Sequence, residues 1–167
     1  GTLGMAFGAR GGGRFSAHYE PGQLVINLTK TKGAGSLAHE WFHALDNYFA
    51  KMGSEGLDVY ATAGEGLFPE GISSIGKRYY DRKSGQMLTE EEYNERMNSH
   101  EMRSEMADAW KSLMETLKKS DYYKRSLAYA GLHNSNYWSR PTELGARAFS
   151  TWVENELSKQ GASNDYL

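Results

Sequence analysis

The chain has 167 residues, 13% of them aromatic, with 19 Lys and Arg against 21 Asp and Glu, five His and no Cys. This length suits one domain, and the aromatic content is too high for a disordered chain. A net charge of −2 gives no bulk attraction to nucleic acid or to an anionic membrane. Without Cys, the sequence excludes a disulfide scaffold, a thiolate nucleophile and a Cys-ligated metal, so a metal would have to be bound by His, Asp or Glu.

The sequence contains no apolar run near the roughly 20 residues that span a bilayer, and it does not open on a basic and then apolar signal segment. The first residue is Gly1 and not Met, so we expect a domain cut from a longer protein.

The first 30 residues predict β-structure. Apolar and polar residues alternate over residues 15–19 and again over residues 24–28, as on half-buried strands. Between them, Glu20-Pro21-Gly22-Gln23 has Pro second and Gly third, which predicts a type II turn. Together these residues predict a β-hairpin.

A helix is predicted to follow over residues 36–52, with Ser36 as its N-cap and Gly53 as its stop. Its apolar residues cover most of the circumference: Leu37, Ala38, Trp41, Phe42, Ala44, Leu45, Tyr48 and Phe49. A helix that is apolar nearly all round is predicted to be buried.

The rest of the chain is predicted to be mainly helical, after a long and partly irregular insertion at about residues 53–98. A helical pattern extends from Glu90 to about Lys119 with a break near Ser99, and residues 121–138 are Tyr-rich and end in a loop. A last helix is expected from about Pro141 to about Leu157. The inner stripe of the helical segment before it is expected at Met102, Met106, Ala109 or Trp110, Leu113 and Leu117. These elements predict one α+β domain over residues 1–167, with a small antiparallel or mixed sheet packed on the buried helix and further helices C-terminal to it.

Two histidines lie four residues apart in the predicted buried helix, in the run His39-Glu40-Trp41-Phe42-His43. Because positions i and i+4 share a helix face, both imidazoles can bind one cation. Unpaired in an apolar surrounding, these imidazoles and Glu40 would each cost about 1–3 kcal/mol. We expect Zn²⁺, which accepts two imidazoles and a carboxylate and leaves a fourth position open for catalysis. The alternative is a pair of core histidines hydrogen-bonded to neighbours such as Asp46 or a Tyr.

A tetrahedral site needs a third protein ligand, and spacing alone leaves several residues open: His100, His133, Glu65, Glu101, Glu105 and Glu143. Asp46 lies on the stripe of the two histidines but is better placed to orient one of them. We favour Glu143, which heads the last helix close to small residues that allow tight helix packing, Gly145, Ala146 and Ala148. The competing interpretation is that Glu143 stabilises the helix N-terminus or pairs with Arg147.

Two blocks of the sequence resemble the first-numbered type of the large polyvalent protein-associated domains of phages and conjugative elements. The first block includes Gly33-Ala34-Gly35-Ser36-Leu37-Ala38-His39-Glu40, and the second is Tyr137-Trp138-Ser139-Arg140-Pro141-Thr142-Glu143-Leu144-Gly145-Ala146-Arg147-Ala148-Phe149. The resemblance implies a zincin-like fold, a metallopeptidase-like site and a place beside other domains in a larger parent protein. A looser resemblance to gluzincins, in which a downstream Glu is followed by Ala and Phe, falls on Glu143, Ala146 and Phe149 and supports Glu143 as third ligand. With no signal segment, we expect a cytoplasmic location, bacterial or phage-delivered.

The expected activity is zinc-dependent hydrolysis of a peptide or protein substrate, with Glu40 as the base that takes a proton from the metal-activated water. Tyr137, His133 and Arg140 are the nearest candidates for a proton donor or oxyanion partner, although simple packing also explains Tyr137. An edge strand, either residues 15–19 or residues 24–28, would receive the substrate backbone or merely close the sheet.

Other functions fit the sequence less well. A non-catalytic zincin-like interaction or structural module would keep the metal but would have no need of Glu40. A dinucleotide-binding fingerprint at residues 33–38, with Asp58 beyond it, follows a hairpin instead of a βαβ unit and leaves His39 unexplained. The basic and aromatic residues 77–80 form too short a cluster to predict nucleic-acid binding.

Overall fold

The computed structural model describes residues 2–7, 17–28, 36–75 and 77–162, which form five α-helices and two small β-sheets. The α+β class predicted from the sequence is confirmed. In the described residues, none of the helices has the length and apolar character needed to cross a membrane.

A three-stranded sheet is formed by the N-terminal part of the chain. Its strands are β1 (Gly4–Phe7), β2 (Ala17–Glu20) and β3 (Val25–Leu28), in the spatial order β1-β3-β2. Strand β3 is central, parallel to β1 and antiparallel to β2, so the sheet is mixed. The predicted hairpin is confirmed over residues 17–28, whereas Phe15, Ser16 and the glycines of residues 33–35 lie outside the described residues. The sequence pattern does not predict the parallel pairing with β1, because that pairing joins segments distant along the chain.

The turn of the hairpin differs from the prediction. The Gln23 N–H donates to the Glu20 carbonyl at 3.2 Å, but the left-handed residue is Leu24, with φ of 53°, and not Gly22. Since a type II turn needs positive φ at its third residue, the predicted turn type is wrong. The pairing of Glu20 with Val25 leaves a four-residue loop, a length that is usually built around a type I turn.

The sheet packs on helix α1 (Leu37–Lys51), which begins after the predicted N-cap Ser36 and ends close to the predicted stop. A small apolar cluster joins the two layers and consists of Ala17, Ile26, Leu28 and Ala44. Trp41 and Tyr48 are 46% and 58% exposed, so the prediction that α1 is buried all round is wrong. One stripe of α1 faces solvent while its other sides carry the core.

The main core lies on another side of α1, against helices α3 (Ser104–Lys119) and α5 (Pro141–Lys159) and parts of the segment between α1 and α3. Its buried members include Phe42, Ala50, Leu67, Ile72, Met97, Met102, Trp110 and Ala146. Each large apolar side chain contributes about 1.5–3 kcal/mol when it is fully buried, so this cluster holds α1 firmly against the C-terminal helices.

The segment of residues 53–98 is more regular than predicted. It contains a 3-10 turn at Ala61–Ala63, an antiparallel hairpin of β4 (Ile72–Ile75) and β5 (Arg78–Asp81), and helix α2 (Glu90–Asn98). A capping box between Thr89 and Glu92 starts α2. Helices α2 and α3 are separated at residues 99–103, which confirms the predicted break near Ser99.

Two further parts of the helical region differ from the sequence analysis. Of the predicted inner stripe, Met102 and Trp110 are buried, but Leu113 is exposed and α3 buries Ala107 and Met114 instead. The sequence assigns residues 121–138 no element beyond a loop at their end, whereas the structure forms α4 (Asp121–Leu132) and a 3-10 turn at Asn136–Ser139, the 136–139 turn. Within α4 the buried residues are Ser126 and Ala130, so the apolar period that signals a helix is weak there.

Helix α5 begins at Pro141, as predicted, and packs closely on α1. A Cβ placed on Gly145 would lie 2.6 Å from Cε1 of Phe42, which is closer than van der Waals contact allows. The two helix backbones come this near because residue 145 has no side chain. The tight small-residue packing predicted for this helix is confirmed, and it brings the first turn of α5 over α1.

Candidate metal centre

Two histidine rings on α1 face each other. The Nε2 atoms of His39 and His43 lie 3.1 Å apart, and the rings meet edge to face with centroids separated by 4.8 Å. Both side chains are largely buried, with 16% and 12% of their surface exposed. The i, i+4 spacing therefore produces the shared ring direction that the sequence predicts.

Glu143 reaches the same place from the first turn of α5. Its carboxylate oxygens lie 3.3 Å from Nε2 of His39 and 3.6 Å from Nε2 of His43. Across the residues that the structure describes, this is the one group of three metal-ligating side chains close enough to share an ion. We refer to His39, His43 and Glu143 as the triad.

The spacing of the triad atoms fits a tetrahedral zinc ion. With zinc–ligand bonds of about 2.0–2.1 Å, two ligand atoms of a tetrahedron are about 3.3 Å apart. The two Nε2 atoms are 3.1 Å apart, Oε2 of Glu143 is 3.3 Å from Nε2 of His39, and Oε1 of Glu143 is 3.6 Å from Nε2 of His43. Oε2 of Glu143 is also buried without a hydrogen-bond partner, which is costly unless a cation neutralises it. Two imidazoles and one carboxylate form a donor set that zinc accepts with a fourth position open.

The surroundings of the triad favour the protonation states that bind a metal. Burial lowers the pKa of His43 to about 4, against the opposing attraction of Glu143. The pKa of Glu143 is lowered: burial alone would raise it, but the close approach of the His39 ring and the charge interaction with His43 outweigh burial. A neutral imidazole and an ionised carboxylate are the forms in which these residues bind metals.

Glu40 lies next to the triad on α1. The residue is 8% exposed, and burial raises the pKa of its carboxyl, against the lowering effects of His39 and of the backbone N–H of Tyr19. Because Tyr19 belongs to β2, this hydrogen bond also shows that β2 runs past Glu40. A buried carboxyl with a raised pKa beside a metal-binding group is well suited to accept a proton.

Asp46 does not play the part that the sequence suggests. Its Oδ1 accepts the N–H of Thr62 at 2.8 Å and its Oδ2 accepts the hydroxyl of Thr62 at 2.5 Å. The prediction that Asp46 orients one of the histidines is therefore wrong. Asp46 instead links the 3-10 turn at Ala61–Ala63 to the middle of α1 through these two hydrogen bonds.

The other residues left open as third ligands lie away from the triad. The His100 ring approaches the Gly66 carbonyl at 3.0 Å, Glu65 accepts a backbone N–H at 2.7 Å, and His133 packs against a tyrosine ring at 4.1 Å. The structure brings none of the following to the two histidines: His100, His133, Glu65, Glu101 and Glu105.

Of the three candidates for a proton donor, Tyr137 is the one placed at the triad. Burial and a hydrogen bond to Glu143 raise the pKa of Tyr137 to about 12. Arg140 instead donates to Oδ1 of Asn136 at 3.1 Å.

Arg147 has contacts that sequence reasoning missed. Its Nε donates to the hydroxyl of Tyr122 at 3.0 Å, and its Nη2 donates to the carbonyl of Trp138 at 2.6 Å. These bonds replace the i, i+4 ion pair with Glu143 that the sequence left open. One sequence signal could have pointed to these contacts. Arg147 is a basic residue that directly follows Ala146, on the buried side of the last helix.

The fold and the triad define an α+β protein with a candidate metal centre. Residues 130–167, which include Glu143, match the family model of large polyvalent protein-associated domain 1, so the resemblance predicted from the sequence is confirmed over that segment. The match supports a place beside other domains in a larger polyvalent protein. No curated protein and no solved structure matches the chain.

Proposed function

We propose that this protein is a zinc-dependent, metallopeptidase-like hydrolase with a zincin-like fold that cleaves peptide bonds. In this proposal His39, His43 and Glu143 bind the zinc ion and Glu40 is the general base. The observation that supports it most is the convergence of two imidazoles and one carboxylate, from two helices, with one ligand atom of each within 4.8 Å of the others.

Held by His39, His43 and Glu143, a zinc ion would lower the pKa of a bound water and polarise the substrate carbonyl. Glu40 would accept the proton of the attacking water at a carboxylate oxygen and deliver it to the leaving amine. The raised pKa of Glu40 supports both steps, because it brings the carboxyl closer to the working pH. The N–H of Tyr19 holds the carboxylate in place during the transfer.

Strand β2 and Tyr137 complete the proposed site. Of the two strands that the sequence offers for substrate binding, β3 is central, and β2 lies at the sheet edge. Because β2 also runs past Glu40, a substrate backbone that pairs with β2 lies close to the triad. The Tyr137 hydroxyl bonds to Glu143 in the absence of substrate, and it would redirect its one donated hydrogen bond to the substrate oxyanion when that forms.

The alternative is a non-catalytic zincin-like interaction or structural module of a mobile-element polyvalent protein. A structural zinc site is closed by four protein ligands, and Asp46, on the same stripe of α1 as the two histidines, has both oxygens engaged by Thr62. This arrangement favours the hydrolase. In either case we place the domain in the cytoplasm, within a polyvalent protein of a phage or conjugative element.

Metal analysis of the purified protein tests the site. We expect the wild type to bind one zinc ion per chain, and both His39→Ala and Glu143→Ala to lose it. His133→Ala, which removes an exposed imidazole outside the triad, is the matched control and retains the ion. Zinc retained by Glu143→Ala would contradict the assignment of the third ligand.

Cleavage of a mixed library of fluorogenic peptides tests the chemistry. Glu40→Gln is expected to keep the zinc ion and to lose about 10²–10⁴-fold in rate, because it removes the base and not a ligand. A wild type that binds zinc and cleaves no peptide or protein would contradict the hydrolase and support the module.

A further inference from the structure

We infer that Arg147 is a positioning residue of the candidate metal centre, which holds the 136–139 turn so that Tyr137 stays at Glu143. The inference rests on the proposed function and deepens it. Arg147 acts indirectly, because it contacts Tyr122, Trp138 and the Tyr137 ring and not the triad.

A single guanidinium joins three elements of the fold. Arg147 projects from α5, donates to Tyr122 of α4 at 3.0 Å, and donates to the carbonyl of Trp138 in the 136–139 turn at 2.6 Å. The guanidinium carbon also lies 4.9 Å from the ring centroid of Trp138 and 5.7 Å from that of Tyr137. Stacking on two rings and donating along the guanidinium plane are compatible because the group is flat.

Stability alone does not account for this residue. Among the ion pairs of the residues that the structure describes, none involves Arg147, and its Nη1 is buried without a partner. An apolar side chain would fill the same space without the cost of burying a charge. The feature that an apolar residue lacks is the directed pair of hydrogen bonds that fixes the turn.

Fixing the 136–139 turn also fixes the position of Tyr137. Trp138, whose carbonyl Arg147 holds, follows Tyr137 directly, so the backbone at this point sets the direction of the Tyr137 ring. The Tyr137 hydroxyl in turn bonds to Glu143, and the partners of a metal-binding carboxylate orient it toward the metal. Arg147 thereby keeps Glu143 directed at the two histidines.

Zinc affinity of the whole chain, measured by competition with a chromophoric chelator, tests the inference as a double-mutant cycle. Tyr137→Phe and Arg147→Met are each expected to weaken zinc binding about tenfold, within the range for partners of metal ligands. If Arg147 acts through Tyr137, the double variant is also weakened about tenfold, because the second change removes nothing further. Single effects that multiply to about a hundredfold overturn the inference, as does an unchanged affinity in Arg147→Met.

Two further variants make the cycle specific. Arg147→Lys keeps the charge but loses the planar fork, so it is expected to show most of the loss of Arg147→Met, and it serves in its place if the methionine variant does not fold. Full zinc affinity in Arg147→Lys overturns the inference. Lys124→Met removes an exposed cation from α4 and is the matched control, with affinity unchanged.

A measurement without metal separates this inference from the proposed function. In chelator-treated protein, the ring resonances of Tyr137 report its packing against Arg147 and Trp138. Arg147→Lys is expected to shift these resonances and Lys124→Met to leave them in place. Unshifted resonances overturn the inference even where the wild type binds zinc, whereas shifted resonances in a protein that binds no zinc support the positioning and contradict the proposed function alone.

Discussion

Asp46 makes the stability of the fold depend on pH. Its side chain is fully buried, and burial raises its pKa from 3.8 to about 6, against the hydrogen bonds from Thr62. Between about pH 4 and pH 6 the folded state therefore binds more protons than the unfolded state, so the free energy of unfolding falls as pH rises through this window. The raised pKa corresponds to a decrease in the free energy of unfolding on the order of 3 kcal/mol above pH 6.

Urea denaturation at pH 4, 5, 6 and 7 measures this effect. The side chain in Asp46→Asn has no proton to lose. The free energy of unfolding of this variant should therefore increase relative to that of the wild type as pH rises. Asp121→Asn, which alters an exposed carboxylate on α4, is the control and should follow the wild type. Parallel pH courses for Asp46→Asn and wild type would contradict the raised pKa.

The residues of the candidate site differ in how far the sequence could predict them. The shared direction of His39 and His43 follows from helix geometry alone, so four-residue spacing was sufficient. Glu143 is about a hundred residues away along the chain, and spacing left it as one of six candidates. Its place at the head of the last helix, and then the family resemblance, favoured it. Neither the bond between Asp46 and Thr62 nor the contacts of Arg147 could be predicted, because both depend on tertiary packing.

Among the elements, the approach of α5 to α1 controls whether the triad assembles. Gly145→Ala places a Cβ against the Phe42 ring, so α5 must move away or Phe42 must turn, at a cost of about 1–3 kcal/mol. We expect a lower melting temperature and weaker zinc binding, although no ligand is changed.

Gly131→Ala provides the matched control for this prediction. Gly131 also lies within a helix, but an added Cβ there meets nothing within 4 Å. The free energy of unfolding of this variant should rise by about 1 kcal/mol, because alanine has a higher helix propensity than glycine, and its zinc binding should be normal. Equal behaviour of the two variants in calorimetry and zinc titration would contradict a role for the close approach.

The elements themselves were predicted where the apolar pattern was strong. The hairpin of residues 17–28, helix α1, the break after α2 and the start of α5 all follow from alternation, capping and punctuation. Strands β4 and β5 have no clean alternation, and α4 buries little of its surface, so neither left a periodic signal. Strand β1 has four residues and pairs with a distant segment, which short-range patterns do not register.

At the scale of the whole molecule, zinc should stabilise the fold, because the triad joins α1 to α5. A ligand that binds the folded state alone adds about 2.7 kcal/mol at a hundred times its Kd. For a chain of this length the melting temperature should rise by about 5–10 °C with excess zinc, and chelation should reverse the rise. His39→Ala should melt at one temperature with and without zinc, and an equal rise in that variant would contradict the proposed site.

The wide separation of the triad residues along the chain affects the order in which the candidate site forms during synthesis. The two histidines leave the ribosome about a hundred residues ahead of Glu143, an interval of roughly 5–20 s at ordinary rates of translation. Throughout that time the nascent polypeptide lacks Glu143, the third member of the triad, and helix α5, which packs on α1. A site built in this order cannot assemble until the first turn of α5 has been translated, so zinc binding, and any hydrolysis that depends on it, can begin only after that point.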